Sequence, residues 1–164
     1  MVDPVNVGAA AGKLENENIR FRTFLKTHAD SCELDRQILA LHNELFADYD
    51  CRECANCCRA YSTSLAEDDV DRISAFLAMT GPDFVEKHLT LSPEGYEIKA
   101  PCGFLEENGA CAIQDCKPAE CVDFPHTDKP GRLESLYSIL SFAEVCPVVF
   151  EILQRLKALY GFRR

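Results

Sequence analysis

The stretch CRECANCC, residues 51–58, packs four cysteines into eight positions. Thiols that dense serve nucleophilic or redox catalysis, disulfide stapling or metal binding. Cys51, Cys54 and Cys57 stand at i, i+3 and i+6. One helical face cannot present all three, because the third side chain rotates away from the first. A loop curling around a soft centre can, and C-x2-C-x2-C is a spacing that wraps an iron–sulfur cluster. Cys146-Pro147, 89 residues beyond Cys57, has the Cys-Pro form of a remote fourth ligand. Cys58 is harder to place. Adjacent side chains diverge in extended backbone, so Cys57 and Cys58 are expected to serve two centres or edge one polynuclear centre.

A second group of thiols lies downstream. Cys102 and Cys111 flank GFLEENGA, whose Asn108-Gly109 turn folds the two sulfurs toward each other. Cys116 and Cys121 follow, with Pro118 between them, and Cys121 leads toward His126 in VDFPH. His126 reads either as an imidazole ligand or as a hydrogen-bonding surface histidine, and the second is preferred. His28, His42 and His88 sit in helical contexts and receive no role. Cys32, near a helix start, reads as a small buried residue.

The elements that must position these residues are mostly helices. Residues 1–13 read as a flexible lead-in and 14–50 as a helical segment. Within it, Phe21, Phe24 and Leu25 mark a helix over residues 19–26, and Leu34, Ile38, Leu41 and Leu45 form the stripe of another. The two are expected to pack as a hairpin. After the cysteine turn, Ser64 and Glu67 fit a capping box, and Val70, Ile73, Phe76 and Leu77 form the buried face of the helix it starts. Gly81-Pro82 ends that helix and opens a shorter one through Leu89. Short extended pieces follow, with Tyr96 and Ile98 alternating with polar residues. Residues 133–160 are helical by pattern, broken at Pro147. Val148, Val149, Ile152, Leu153, Leu156 and Leu159 share one face, and Arg155, Lys157, Arg163 and Arg164 gather toward the end, where the helix dipole favours cations. The fold class is therefore mainly α with short irregular β pieces: a small cysteine-rich metal-binding domain over 51–164, C-terminal helix included, with an N-terminal helical extension.

Composition narrows the chemistry. The chain of 164 residues has the length of one domain and can bury a core without disulfides. Its net charge is −10, with 27 acidic residues against 17 Lys and Arg, which repels phosphate backbones and disfavours nucleic acid as a partner. The most apolar tract, VCPVVFEIL, is too short to span a membrane. The N-terminus lacks a basic start and a long apolar run, so no leader is expected and a reducing cytoplasm is. There the ten cysteines favour metal over disulfides.

CRECANCCR, APCGFLEENGACAIQDCKPAECVDFPHT and CPVVFEILQRLK together resemble the YkgJ-type cysteine-cluster family, a CxxCxxCC domain described as chelating zinc or iron. The family pattern runs CxxCxxCC, PCxFL with a later CxI, (R)PxxC followed by an aromatic residue and Pro, and a late CP. The matching positions are Cys51, Cys54, Cys57, Cys58, Cys102, Cys111, Cys121 and Cys146, which the resemblance implies as metal ligands. Ala55 stands where glycine is common, Gln114 where Tyr is frequent and Lys117 where Arg is frequent. Cys116 is additional. The resemblance covers about two-thirds of the chain and excludes the N-terminal helices. A related motif occurs in a flagellin lysine methylase, which leaves an enzyme link open.

The resulting expectation is a metalloprotein in which six to eight thiolates hold one polynuclear or two mononuclear centres, iron–sulfur being preferred to Zn2+. Its alternatives are a component of a redox or methyl-transfer enzyme, and a partner-docking module stabilised by structural zinc. The N-terminal helices would carry such a protein partner. No catalytic residues are assigned: the C-x3-C-x2-C pattern of radical chemistry fails at Tyr61, and no G-x-G-x-x-G or G-x4-G-K loop occurs.

Overall fold

A computed structural model describes residues 1–162. In chain order its helices are α1 (Val7–Lys13), α2 (Glu15–His28), α3 (Ser31–Phe46), α4 (Cys51–Cys54), α5 (Asn56–Ala60), α6 (Glu67–Phe76), α7 (Gly81–His88), α8 (Ala119–Asp123), α9 (Leu136–Ala143) and α10 (Pro147–Leu159). Three short strands, β1 (Thr63–Ser64), β2 (Thr90–Ser92) and β3 (Gly95–Ile98), form an antiparallel sheet in the order β1-β3-β2. The protein is thus mainly α with short β pieces. The chain divides into two compact units, one of residues 1–50 with the segment from Pro125 onward, the other Cys51–Phe124. Within the first unit, α9 and α10 pack with the N-terminal helices.

The first unit is a helical assembly built by its apolar stripes. Phe21 and Leu25 of α2, Leu34, Ile38 and Leu41 of α3, and Val148, Val149, Ile152, Leu153 and Leu156 of α10 are buried. α10 packs against α3 and α9, and α2 against α9. The buried residues of α2 and α3 are thus spent within this unit. Residues 7–13, read from sequence as lead-in, form α1 with Val7 and Ala11 buried. Cys32 is exposed, not buried: it precedes the stripe that begins at Leu34 and faces away from it. Leu159, in the last turn of α10, is exposed.

Polar contacts pin this unit. The Asp35 carboxylate accepts from the amides of Gly131 and Arg132, both at 2.8 Å. Lys157 does not serve the helix dipole in solvent. It is 5 % exposed, and its ammonium donates to Glu17 at 2.8 Å and Asn18 at 2.6 Å. Arg155 pairs with Glu44 and Glu151. Arg163 and Arg164 lie outside the described residues.

The second unit has a smaller core, of Ile73, Phe84, Ile98, Phe104, Ile113 and Cys116. α6 starts two residues after the predicted box: Ser64 is in β1, and the Asp69 carboxylate accepts from the Ala66 amide at 3.3 Å. Ile73 is buried as expected, whereas Phe76, expected on the same face, is 51 % exposed and Ser74 is buried. α7 begins at Gly81-Pro82 as expected, with Thr80 capping the Asp83 amide.

Candidate metal centre

The cysteine turn is two one-turn helices with a joint, not a loop. Ala55 adopts φ 49, ψ 19, a left-handed conformation that separates α4 from α5 and reorients the chain between Cys54 and Cys57. The family's common glycine would adopt this conformation without steric cost. The helical geometry of α5 also changes the expectation for Cys57 and Cys58. Successive helical side chains are about 100° apart, so they do not splay to opposite sides. The two thiols hydrogen-bond to each other.

The second thiol group is folded onto the first by main-chain contacts. The Cys102 amide donates to the Cys58 carbonyl at 2.7 Å. Leu105 and Cys111 form an antiparallel bridge closed by the predicted turn, in which the Ala110 amide bonds Asn108 Oδ1 at 2.8 Å. Gly109 takes φ +88, and a Cβ there would lie 2.8 Å from the Arg52 carbonyl oxygen. Only glycine allows this turn to approach α4 so closely. α8 then brings Cys121 to Thr63 of β1, with Oγ1 and Sγ 3.4 Å apart.

These contacts gather six of the eight predicted ligands around one cavity of about 110 Å³. Cys51, Cys57, Cys58, Cys102, Cys111 and Cys121 line it, together with apolar Ile98, Ile113, Pro118 and Phe124. Tyr61, Thr63, Gln114, Lys117, Glu120 and Arg52 also line it. Cys54 is not among the lining residues; its carbonyl accepts from Arg59 Nη1 at 2.8 Å. Cys146 belongs to the first unit, buried at the start of α10, where its amide donates to Phe142 at 2.7 Å. His126 is in that unit as well, its carbonyl accepting from Arg132 at 2.6 Å. His42, in the same unit, bonds Thr127 at 2.8 Å. Cys116 is buried in the hydrophobic core of the second unit and does not line the cavity. No disulfide occurs among the described residues.

The electrostatics of the cavity separate the thiols. Cys58 is lowered to about 6, first by the hydrogen bond from Cys57 and then, against the effect of burial, by the cations of Lys117 and Arg59. Cys57 is raised, by that same hydrogen bond and by burial. Burial raises Cys102 and Cys121, the latter against a lowering contact from Thr63. The thiolate form is thus favoured at Cys58 and disfavoured at Cys57, Cys102 and Cys121 until something positive replaces their protons. Among the described residues no three His, Cys, Asp or Glu side chains are already drawn to one point. Side-chain rotation must accompany any binding. Six sulfur donors around one void are nevertheless the ligand chemistry of a thiophilic metal.

Residues 50–147, more than half of the chain, match the model of the CxxCxxCC family, described as "Putative zinc- or iron-chelating domain". The chain belongs to this family. The match spans the whole second unit and extends into the first as far as Pro147, so it includes Cys146. It supports a metal-binding role with zinc or iron. No curated protein and no solved structure matches the chain. No helix among the described residues is long and apolar enough to cross a membrane.

Sequence reading overlooked the non-cysteine wall of the cavity. In the sequence Tyr61 stands only as a position where a cysteine pattern fails, and Lys117 only as a departure from a common Arg. Tyr61 packs on Phe124 with ring centroids 5.5 Å apart. No sequence signal links residues so far apart in the chain.

Proposed function

We propose that the family's metal-binding role is carried out in this chain by a polynuclear centre on Cys51, Cys57, Cys58, Cys102, Cys111 and Cys121, and that its occupant is an iron–sulfur cluster. The observation that carries this reading is the ring of six thiols around a void of about 110 Å³. A single tetrahedral ion draws four ligands to about 2.3 Å and has no use for such a void. A cluster brings its own inorganic sulfide and spans a wider ring of thiolates. When bound it would supply one-electron chemistry. Around it, Ile98, Ile113 and Phe124 would limit water, and Lys117 and Arg52 would offset thiolate charge. A reducing compartment belongs to this proposal, since the thiols must stay reduced to bind.

Two zinc ions form the second reading. It is favoured by ligand number, because two tetrahedral ions have about eight coordination positions, which six thiolates fill when two of them bridge. It also gains from Cys54, whose place outside the cavity lining interrupts the C-x2-C-x2-C run. Cys54 and Cys146 are not in the proposed ligand set under either reading.

Anaerobic purification with metal and sulfide analysis and an absorption spectrum tests the proposal. Iron with labile sulfide and a brown chromophore are expected. A colourless protein with two zinc ions would transfer the site to the second reading. A protein that takes up neither metal would remove both.

A further inference from the structure

The cavity wall that carries Cys121 is held from outside the cavity. α8 begins at Ala119, the last residue of the turn Lys117-Pro118-Ala119, and the Cys121 and Val122 amides both donate to the Pro118 carbonyl, at 3.0 and 3.2 Å. The position of that turn therefore sets the position of Cys121. Pro118 has no N–H to anchor it. Its neighbours are gripped from α6. Arg72 Nη2 donates to the Lys117 carbonyl at 3.0 Å. The Ala119 amide donates to Asp69, with Oδ1 at 3.2 Å and Oδ2 at 3.4 Å. Asp69 and Arg72 are themselves an ion pair one helical turn apart. Asp69 is only 4 % exposed.

We propose that the Asp69–Arg72 pair is a positioning device for the metal centre: it clamps both ends of the Lys117–Ala119 turn and so holds Cys121 and Lys117 at the cavity. Capping α6 asks for only one of these bonds, that from the Ala66 amide to Asp69. The bonds to Lys117 and Ala119 reach 45 and 50 residues along the chain and serve the turn alone. A carboxylate and guanidinium locked to each other have fixed orientations, which suits holding a ligand-bearing segment in register. Neither residue lines the cavity, so neither is offered as a ligand.

The inference rests on the metal reading above, and its test separates the two. Asp69→Asn and Arg72→Lys are each made in the full chain, alone and together with Cys121→Ser. Zinc affinity is measured by competition with a chromophoric chelator. In parallel, the metal-free proteins are treated with iodoacetamide and each cysteine's modification rate is followed by mass spectrometry. Each clamp variant should lose about tenfold or more in zinc affinity, the range for groups that orient ligands. The same change should cost little further in the Cys121→Ser background. In the metal-free variants Cys121 should alkylate several-fold faster, while Cys102 keeps its rate. Equal losses of affinity in both backgrounds, unchanged affinity, or a parallel rise at Cys121 and Cys102 would overturn the proposal in favour of a general role in stability. A wild type that binds no zinc or iron would sink the metal reading, and the alkylation rates would still decide the positioning role. If Asp69→Asn does not fold, Arg72→Lys carries the test, since a lysine cannot bridge the carboxylate and the Lys117 carbonyl as the planar guanidinium does.

Discussion

The two units solve the problem of stability by different means. The first buries long apolar stripes of α2, α3 and α10 against one another and fastens them with the buried Lys157–Glu17 pair. The second has a core of six buried residues, helices of four or five residues around its cysteines, and a cavity where the first unit has packed side chains. Helices that short do not hold themselves together in water. The comparison teaches that the short helices of the second unit are grouped around the thiols that line its cavity, so that bound metal and folding would be coupled there and independent in the first.

Metal removal is the strongest way to break that comparison. Bound metal of this type contributes on the order of 10 kcal/mol to folding. Chelation should therefore abolish hydrogen-exchange protection across residues 51–124 while the amides of α3 and α10 stay protected. Equal loss in both units would show that they are not separate in stability. Core truncation provides the converse. Ile38 is fully buried, and Ile38→Ala should cost about 2–5 kcal/mol in denaturant unfolding of the first unit with no change in metal content.

Smaller effects sharpen the account of the second unit. Gly109→Ala forces a Cβ against the Arg52 carbonyl and strains a positive φ, so about 1–3 kcal/mol and part of the metal content should be lost. In the metal-free protein the Cys58 thiolate persists down to about pH 6, because a group lowered from 9.0 is deprotonated above its shifted value. Iodoacetamide should thus modify Cys58 at pH 7 roughly tenfold faster than Cys102, the lower nucleophilicity of an acidic thiol having offset part of its larger thiolate fraction. Equal rates would show that the Cys57 hydrogen bond does not hold in solution. Ala55→Gly should change stability least, by about 0.5 kcal/mol or less. Relief of the left-handed backbone and loss of a methyl only 3 % exposed act in opposite directions.

The longer helices were largely legible because their signals are local, whereas the one-turn helices α4 and α5 that carry the cysteine turn were expected as a loop. Gly81-Pro82, Pro147 and the stripes of α3 and α10 mark elements through periodicity and caps that involve neighbours in sequence. Where those signals misled, a tertiary contact had replaced a local one. The Ser64 box yielded to β1 pairing with β3, and Lys157 left the solvent for Glu17 and Asn18. The splayed Cys57–Cys58 pair was inferred from extended backbone, and the helix α5 brings the two thiols together.

The chemistry and the family are written in the chain's linear order: the types, number and order of the cysteines choose a thiophilic metal, because sulfur donors and their spacing are local properties. That order also determined that most of the scaffold would be helical. Which thiols share a cavity depends on how the chain packs. That packing assigned Cys146 to the first unit, left Cys54 out of the cavity lining, buried Cys116 in a core and bound the Lys117–Ala119 turn to α6. Those outcomes depend on contacts between residues far apart in sequence, and the spacing of a motif carries no record of them.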